Sequence, residues 1–184
     1  MTPTVVKVGG SLFDLPDLGD RLRRWLDRHA PPEVILVPGG GPTTDVVRDL
    51  DRTHRLGEEA SHWLALRALT LNAAFLADLL AAEVVGSLAE CVDCWRRGRR
   101  PVLDVFAVLR ADEARPDHLP HAWAAGSDSV AARVAVLAGA RELVLLKSAD
   151  APAGPWAGYV DEGFGVALGR GNVRVTAVNL RTGR

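Results

Sequence analysis

The stretch GSDSVAARVAVLAGARELVLLKSAD, Gly126–Asp150, decides the fold class. Ser127–Ala138 has helical character, and the "SDS" at its start supplies residues that cap helix N-termini. Glu142–Leu146 is a short leucine-rich run that reads as a strand buried on both faces. Working outward, Thr4–Val8, Glu33–Val37 and Pro101–Val105 are short apolar runs of the same kind, each bounded by Gly, Pro or charge. Between them lie segments of helical period. Leu18, Leu22, Trp25 and Leu26 share one helix face, with Arg21, Arg23, Arg24 and Asp27 on the other. Glu58–Glu83 reads as one long helix or two shorter ones, with Trp63, Leu66, Leu69, Leu76 and Leu80 inward. Past Asp150 the chain reads as Gly/Pro-rich loop, and Val173–Asn179 is a candidate last strand. Strands separated by helices predict an α/β fold with a mainly parallel central sheet and helices on both faces. A length of 184 residues, 48% of them hydrophobic, supports a single domain over residues 1–184.

Charge narrows the function classes. The net charge is −1 and there is no basic block, which argues against nucleic acid or an anionic membrane as partner. Lys7 breaks the apolar run Val5–Val8, so no secretory signal is read there. Asp78 and Glu83 interrupt Leu71–Leu88, which reads as a buried helix rather than a membrane span. A soluble, cytoplasmic protein is expected. Cys91 and Cys94 form a lone C-x-x-C without a second ligand pair, and read as two small residues on an amphipathic helix ending at Gly98. The five histidines look scattered, so no metal held by protein ligands is expected.

Three turns fall at predicted carboxyl ends of strands, where open parallel sheets bind ligands. They are Gly9-Gly10-Ser11, Pro38-Gly39-Gly40-Gly41-Pro42 and Lys147-Ser148-Ala149-Asp150. Consecutive glycines let backbone N–H groups approach an anion, and a following helix adds its dipole, an arrangement that suits phosphate. Neither a Walker loop nor a G-x-G-x-x-G follows the first strand. Among 22 basic residues only Lys7 and Lys147 are lysine, and both stand at strand ends. A lysine is a compact point charge able to follow a moving phosphoryl group, where arginine is a planar fork. From spacing alone, Asp128 reads as a helix-capping residue, worth about 1 kcal/mol; the functional alternative is an acid that orients the lysines or meets a metal-bound nucleotide.

Taken in order, VVKVGGS, VPGGGP and GSDSVAARVAVLAGARELVLLKS resemble the amino acid kinase superfamily. The resemblance implies a three-layer α/β/α sandwich in which a small acceptor and Mg-ATP meet over the strand ends. It implies ATP and Mg²⁺ as cofactors, the magnesium carried with the nucleotide, and a homo-oligomer. It gives Lys7 the role of stabilising the transferring phosphoryl group, with Gly9, Gly10 and Ser11 around that group. Gly39, Gly40 and Gly41 would line the acceptor side, and Asp128 would orient the catalytic lysine. Ser127, Lys147, Ser148 and Asp150 fall where the nucleotide pocket begins, with Lys147 also a catalytic candidate. Asp45, with Asp51, is the candidate acid for a substrate amine.

A narrower likeness rests on DLDRTHRLGEEASHWLALRAL, HAWAAGSDSVAARVA and GYVDEGF, with His62-Trp63 and Trp123. These resemble a short, aspartokinase-like group described as phosphorylating an aminomethyl-furanmethanol phosphate in methanofuran synthesis and tetrahydromethanopterin-linked one-carbon metabolism. Two departures stand out. Many superfamily members carry a second catalytic lysine late in the chain, whereas none follows Lys147 here, leaving that role to Lys147 or to an arginine such as Arg170 or Arg174. Gly126 stands where the narrower group commonly has threonine. The alternatives are a kinase of an amino acid or other small acidic metabolite, and a nucleotide- or anion-binding protein without turnover.

Overall fold

The computed structural model describes residues 2–169 and 171–183. Among these described residues there are six strands: β1 (Thr4–Val8), β2 (Val34–Pro38), β3 (Glu83–Val85), β4 (Pro101–Leu103), β5 (Glu142–Lys147) and β6 (Arg174–Asn179). They form one sheet in the order β3-β4-β2-β1-β5-β6, every neighbouring pair parallel. Seven helices connect or flank them: α1 (Leu18–His29), α2 (Gly41–His54), α3 (Glu58–Leu80), α4 (Leu88–Arg96), α5 (Val105–Asp112), α6 (Ser127–Leu137) and α7 (Phe164–Leu168). The fold is the three-layer α/β/α sandwich that the resemblance implies.

Side-chain alternation along the strands divides the core in two. Val5, Ile35, Val37, Leu143 and Leu145 face one way, with buried residues of α4, α5 and α6 over them. Val6, Val8, Val34, Leu36, Val144 and Leu146 face the other way, beneath the α1 stripe Leu18, Leu22 and Leu26. The long helix α3 serves both cores, with Leu66 and Leu69 in the first and Ala73, Leu76 and Ala77 in the second. By length and composition α3 is apolar enough to cross a membrane. In this fold those leucines and alanines are core residues. Cys91 and Cys94 are fully buried free thiols on α4, as their flanks suggest, and burial pushes Cys91 up to about 12.

Besides one-residue shifts at β2, β5, α6 and β6, three differences from the sequence reading have a physical cause. The third predicted strand ends at Leu103, because the Asp104 side chain accepts the Phe106 N–H at 3.1 Å and starts α5. The long helix stops at Leu80, where Ala81 adopts a left-handed conformation (φ 51°), and Glu83 opens β3 instead of closing the helix. Within the segment expected as loop, Phe164–Leu168 forms α7, whose Phe164 and Ala167 are buried against the α6 core.

The strand order reverses at β1. The chain winds from β1 through β2 to one edge, then returns to the far side of β1 as β5 and β6. The crevice beyond the carboxyl ends of β1 and β5 is therefore the topological switch point, the usual ligand position in such sheets.

Candidate active site

Period-2 alternation puts Lys7 on the Val5 face of β1 and Lys147 on the Leu145 face of β5, the face that α6 covers. Lys7 pairs in register with Leu145, so Lys147 lies farther toward the carboxyl edge. The first turn of α6 lowers Asp128 between them. Its Oδ1 is 2.7 Å from Lys7 Nζ, at ion-pair distance but off hydrogen-bond alignment, and its Oδ2 accepts from Lys147 Nζ at 2.7 Å. Asp128 and Lys7 are only 4% and 5% exposed, so these charges are withdrawn from water. Burial alone would raise the Asp128 carboxyl, but the two ammonium groups outweigh it and hold its pKa below the ordinary value. Lys147 also donates to the Tyr159 carbonyl, and its ammonium lies 4.6 Å from the centre of the Tyr159 ring.

The two glycine loops meet backbone to backbone above this triad. A Cβ on Gly10 would fall 2.1 Å from Gly41 N, and one on Gly39 would fall 2.3 Å from Gly10 N. The glycines thus permit loop-on-loop packing as well as ligand approach. Asn72, buried on α3, clamps the second loop: its Nδ2 donates to the Gly39 and Gly40 carbonyls at 2.8 and 2.7 Å. Thr43 Oγ1 donates to the Gly40 carbonyl at 2.6 Å and bonds Asn72 Oδ1 at 2.9 Å. The N-cap of α2 is Gly40, which has no capping side chain, so the helix offers the pocket uncapped first-turn N–H groups. Ser11 and Ser148 hydroxyls are 2.8 Å apart and tie together the turns after β1 and β5.

A cavity of about 230 Å³ opens here, lined by Lys7, Gly9, Gly10, Ser11, Gly40, Gly41, Ser127 and Lys147. Thr44, Arg48, His62, Leu66, Leu69 and Trp123 also line it. Burial, with His121 beside it, pushes His62 down to about 4, so its ring is neutral at neutral pH. Trp123 is anchored by donating its indole N–H to Asp51 Oδ2 at 2.8 Å, with the Arg48 guanidinium 5.1 Å from its ring centre.

Some sequence candidates stand elsewhere. Asp45 pairs with Arg48 at 2.8 Å with its side chain 66% exposed, and Asp51 serves Trp123 rather than the cavity. Gly39 is tucked behind Gly10, with its N–H on the Val8 carbonyl at 2.7 Å. Asp150 accepts from Asn179 Nδ2 at 2.8 Å, beside the turn after β5. Arg174 lies at the opposite end of the sheet, paired with Glu142 at 3.0 Å, and so cannot stand in for a late lysine. Arg170 is outside the described residues. Among the described residues, the late arginine Arg181 reaches the turn after β1, donating to the Ser11 carbonyl at 2.9 Å.

Sequence reasoning missed Asp161, the only carboxylate among the described lining residues. Its Oδ2 accepts the N–H groups of Asp128 and Ser129 at 2.7 and 3.1 Å, capping α6 from a distant loop. Burial first, then the charge of Asp128, raises its pKa. A Cβ on Gly126 would fall 2.5 Å from Asp161 Oδ1, so the glycine leaves room for this remote cap. The GYVDEGF likeness touched this residue without giving it a role. Asn72 left no signal, being one of several polar residues along α3.

Comparison with known proteins bears on the fold and the family. Over 147 residues the chain is 25% identical to the (5-(aminomethyl)furan-3-yl)methyl phosphate kinase of Methanocaldococcus jannaschii, a match covering 79% of this chain. It spans 66% of that relative, just under two thirds of its length. The fold is similar to a UMP kinase from Ureaplasma parvum, with TM-score 0.71 and 12% identity over 99% of this chain and 91% of the other. A uridylate kinase from Archaeoglobus fulgidus is similar at TM-score 0.55 and 16% identity, over 84% of this chain and 68% of the other. The model of the amino acid kinase family matches residues 2–151, from the strand that carries Lys7 to the turn after Lys147, and the chain belongs to that family.

Proposed function

We propose that this chain, acting as one domain over residues 1–184, is a small-molecule kinase. It transfers the γ-phosphoryl group of Mg-ATP to a small acceptor, (5-(aminomethyl)furan-3-yl)methyl phosphate or a related furan amine. The observation that carries this reading is the Asp128 carboxylate bridging Lys7 and Lys147 beneath the joined glycine loops. Phosphoryl transfer asks a protein mainly for positioning and positive charge. Lys7 has its ammonium held toward the glycine loops, where charge develops on the transferring group. Asp128 fixes both ammonium groups, and the uncapped start of α2 offers N–H donors to an anionic acceptor. The residues fit a nucleotide that brings its own ion: Asp161 is a single carboxylate among the described lining residues, too few ligands for a protein-held site, so magnesium would be carried mainly by the phosphates, where it neutralises charge.

The furan acceptor is supported by the named relative and by a wall suited to a flat ring, with Trp123, neutral His62 and Leu66 on the cavity. Asp161 lines the cavity and its Oδ1 is not engaged by the α6 N–H groups, which supports it over Asp45 or Asp51 as the acid for a substrate amine. A homo-oligomer, a cytoplasmic location and a place in methanofuran-linked one-carbon metabolism belong to the same proposal.

The test measures ADP release from ATP and Mg²⁺ with the furan phosphate, UMP and a panel of amino acids as acceptors. Turnover is expected with the furan phosphate, and Lys7→Ala should lower kcat by about 10²–10³-fold, the scale for removing one transition-state donor, while ATP still binds. Tight ATP binding without turnover on any acceptor would support the non-catalytic alternative instead.

A further inference from the structure

The turn after α5 gathers three ligand-bearing side chains that the transfer site does not use. Glu113, His118 and His121 each place one potential ligand atom within 4.8 Å of the other two. His121 Nε2 is 3.0 Å from Glu113 Oε1, and His118 Nδ1 is 3.5 Å from the same oxygen. In a tetrahedral zinc site with bonds near 2.1 Å, ligand atoms stand about 3.4 Å apart. Small rotamer shifts would therefore seat an ion. Three of the five histidines are therefore not scattered: His62 also joins this group, its ring stacked on His121 at 4.7 Å, while His29 and His54 end α1 and α2.

We propose that Glu113, His118 and His121 form a binding site for a divalent transition metal of the zinc class. The ligands are a Glu113 oxygen, His118 Nδ1 and His121 Nε2, with water in the fourth position. Two imidazoles and a carboxylate are donors that zinc accepts, and three protein ligands leave an open position. All three lie on one short stretch of chain, so little loop-closure entropy opposes bringing them together. The His121 ring is fixed from behind, by His62 and by the edge-on Trp63 ring at 5.0 Å. Such support orients a ligand before the ion arrives. His118 Nδ1 also faces the Leu119 carbonyl at 3.1 Å, so binding requires the Nε2–H tautomer and releases that contact. An ion here would tie the end of α5 to the segment that carries Trp123 and Gly126 to the cavity. The site does not depend on the kinase reading, because none of its ligands lines the cavity.

Isothermal titration of Zn²⁺ into the full chain tests this. One equivalent should bind, and His118→Ala or His121→Ala should weaken binding at least tenfold without changing the far-UV circular dichroism. Glu113→Gln should weaken it less. The buried thiols are the competing sink, so Cys91→Ala/Cys94→Ala should retain full binding. A Co²⁺-loaded protein should show visible d–d bands without sulfur-to-cobalt charge transfer. The assignment is overturned by an absence of stoichiometric binding, by binding that survives both histidine substitutions, or by a sulfur charge-transfer band.

Discussion

Lys7 lies inside an apolar strand at 5% exposure because Asp128 meets its ammonium there. A carboxylate shared by one buried and one half-buried lysine is poised rather than strongly stabilising, since desolvation opposes most of the attraction. Removing the shared partner is another matter. Asp128→Ala leaves the largely buried Lys7 ammonium without its carboxylate and beside that of Lys147, and should destabilise the fold by about 3 kcal/mol in urea titration, the low end for a broken buried pair because both lysines line the cavity. The pH dependence follows from the direction of the shift. The folded carboxyl titrates below its ordinary 3.8, so the stability it contributes is fully present above that value and is lost as pH falls through the lower, folded pKa. Urea midpoints measured downward from pH 5 should therefore fall more steeply in the native chain than in Asp128→Asn; parallel curves would show that the lysine contacts do not set this carboxyl. The two lysines were legible because lysine is so scarce in this chain. Asp161 and Asn72 were not, because their partners come from distant segments that only the folded sheet brings together.

At the scale of elements, the alternation of apolar run and amphipathic segment was enough to read the parallel sheet, since strands buried on both faces must be apolar throughout. What the pattern could not show was where a side chain ends an element early. Asp104 cuts β4 short by capping α5, and the left-handed Ala81 frees Glu83 for an edge strand too brief to carry a period. The start of α6 is a further case, because its cap is supplied from outside the helix. Gly126 and Asp161 should behave as one unit. Asp161→Ala should lose about 1 kcal/mol, the typical value of an N-cap. Gly126→Ala should lose at least as much in the native background, since its Cβ would displace the Asp161 carboxylate, yet lose little once Asp161 is alanine. Additive losses in that double-mutant cycle would mean that the glycine serves some purpose other than making room for the cap.

For the molecule as a whole, the two helices beside the glycine loops carry more apolar surface than the sheet needs. Leu64, Leu71 and Phe75 recur on the outer face of α3 at 41%, 62% and 38% exposure, and Val46 and Leu50 stand outward on α2 at 59% and 43%. The sequence showed the inward leucines of α3 by their period, but an apolar residue on the far side of a helix carries no mark of what covers it. The proposed homo-oligomer gives this face an occupant: a second copy meeting the same patch, as a two-fold interface requires. The helices concerned are those that hold Gly40, Asn72 and His62, so association would also stiffen the acceptor side of the cavity. Leu71→Glu places a charge at the most exposed point of the α3 row. Light scattering coupled to size exclusion should find the native chain as a dimer or larger and Leu71→Glu shifted to monomer, with an unchanged circular dichroism spectrum. A native chain that elutes as a monomer at tens of micromolar would remove the oligomer from the proposal and leave the transfer site, which lies within one chain, untouched.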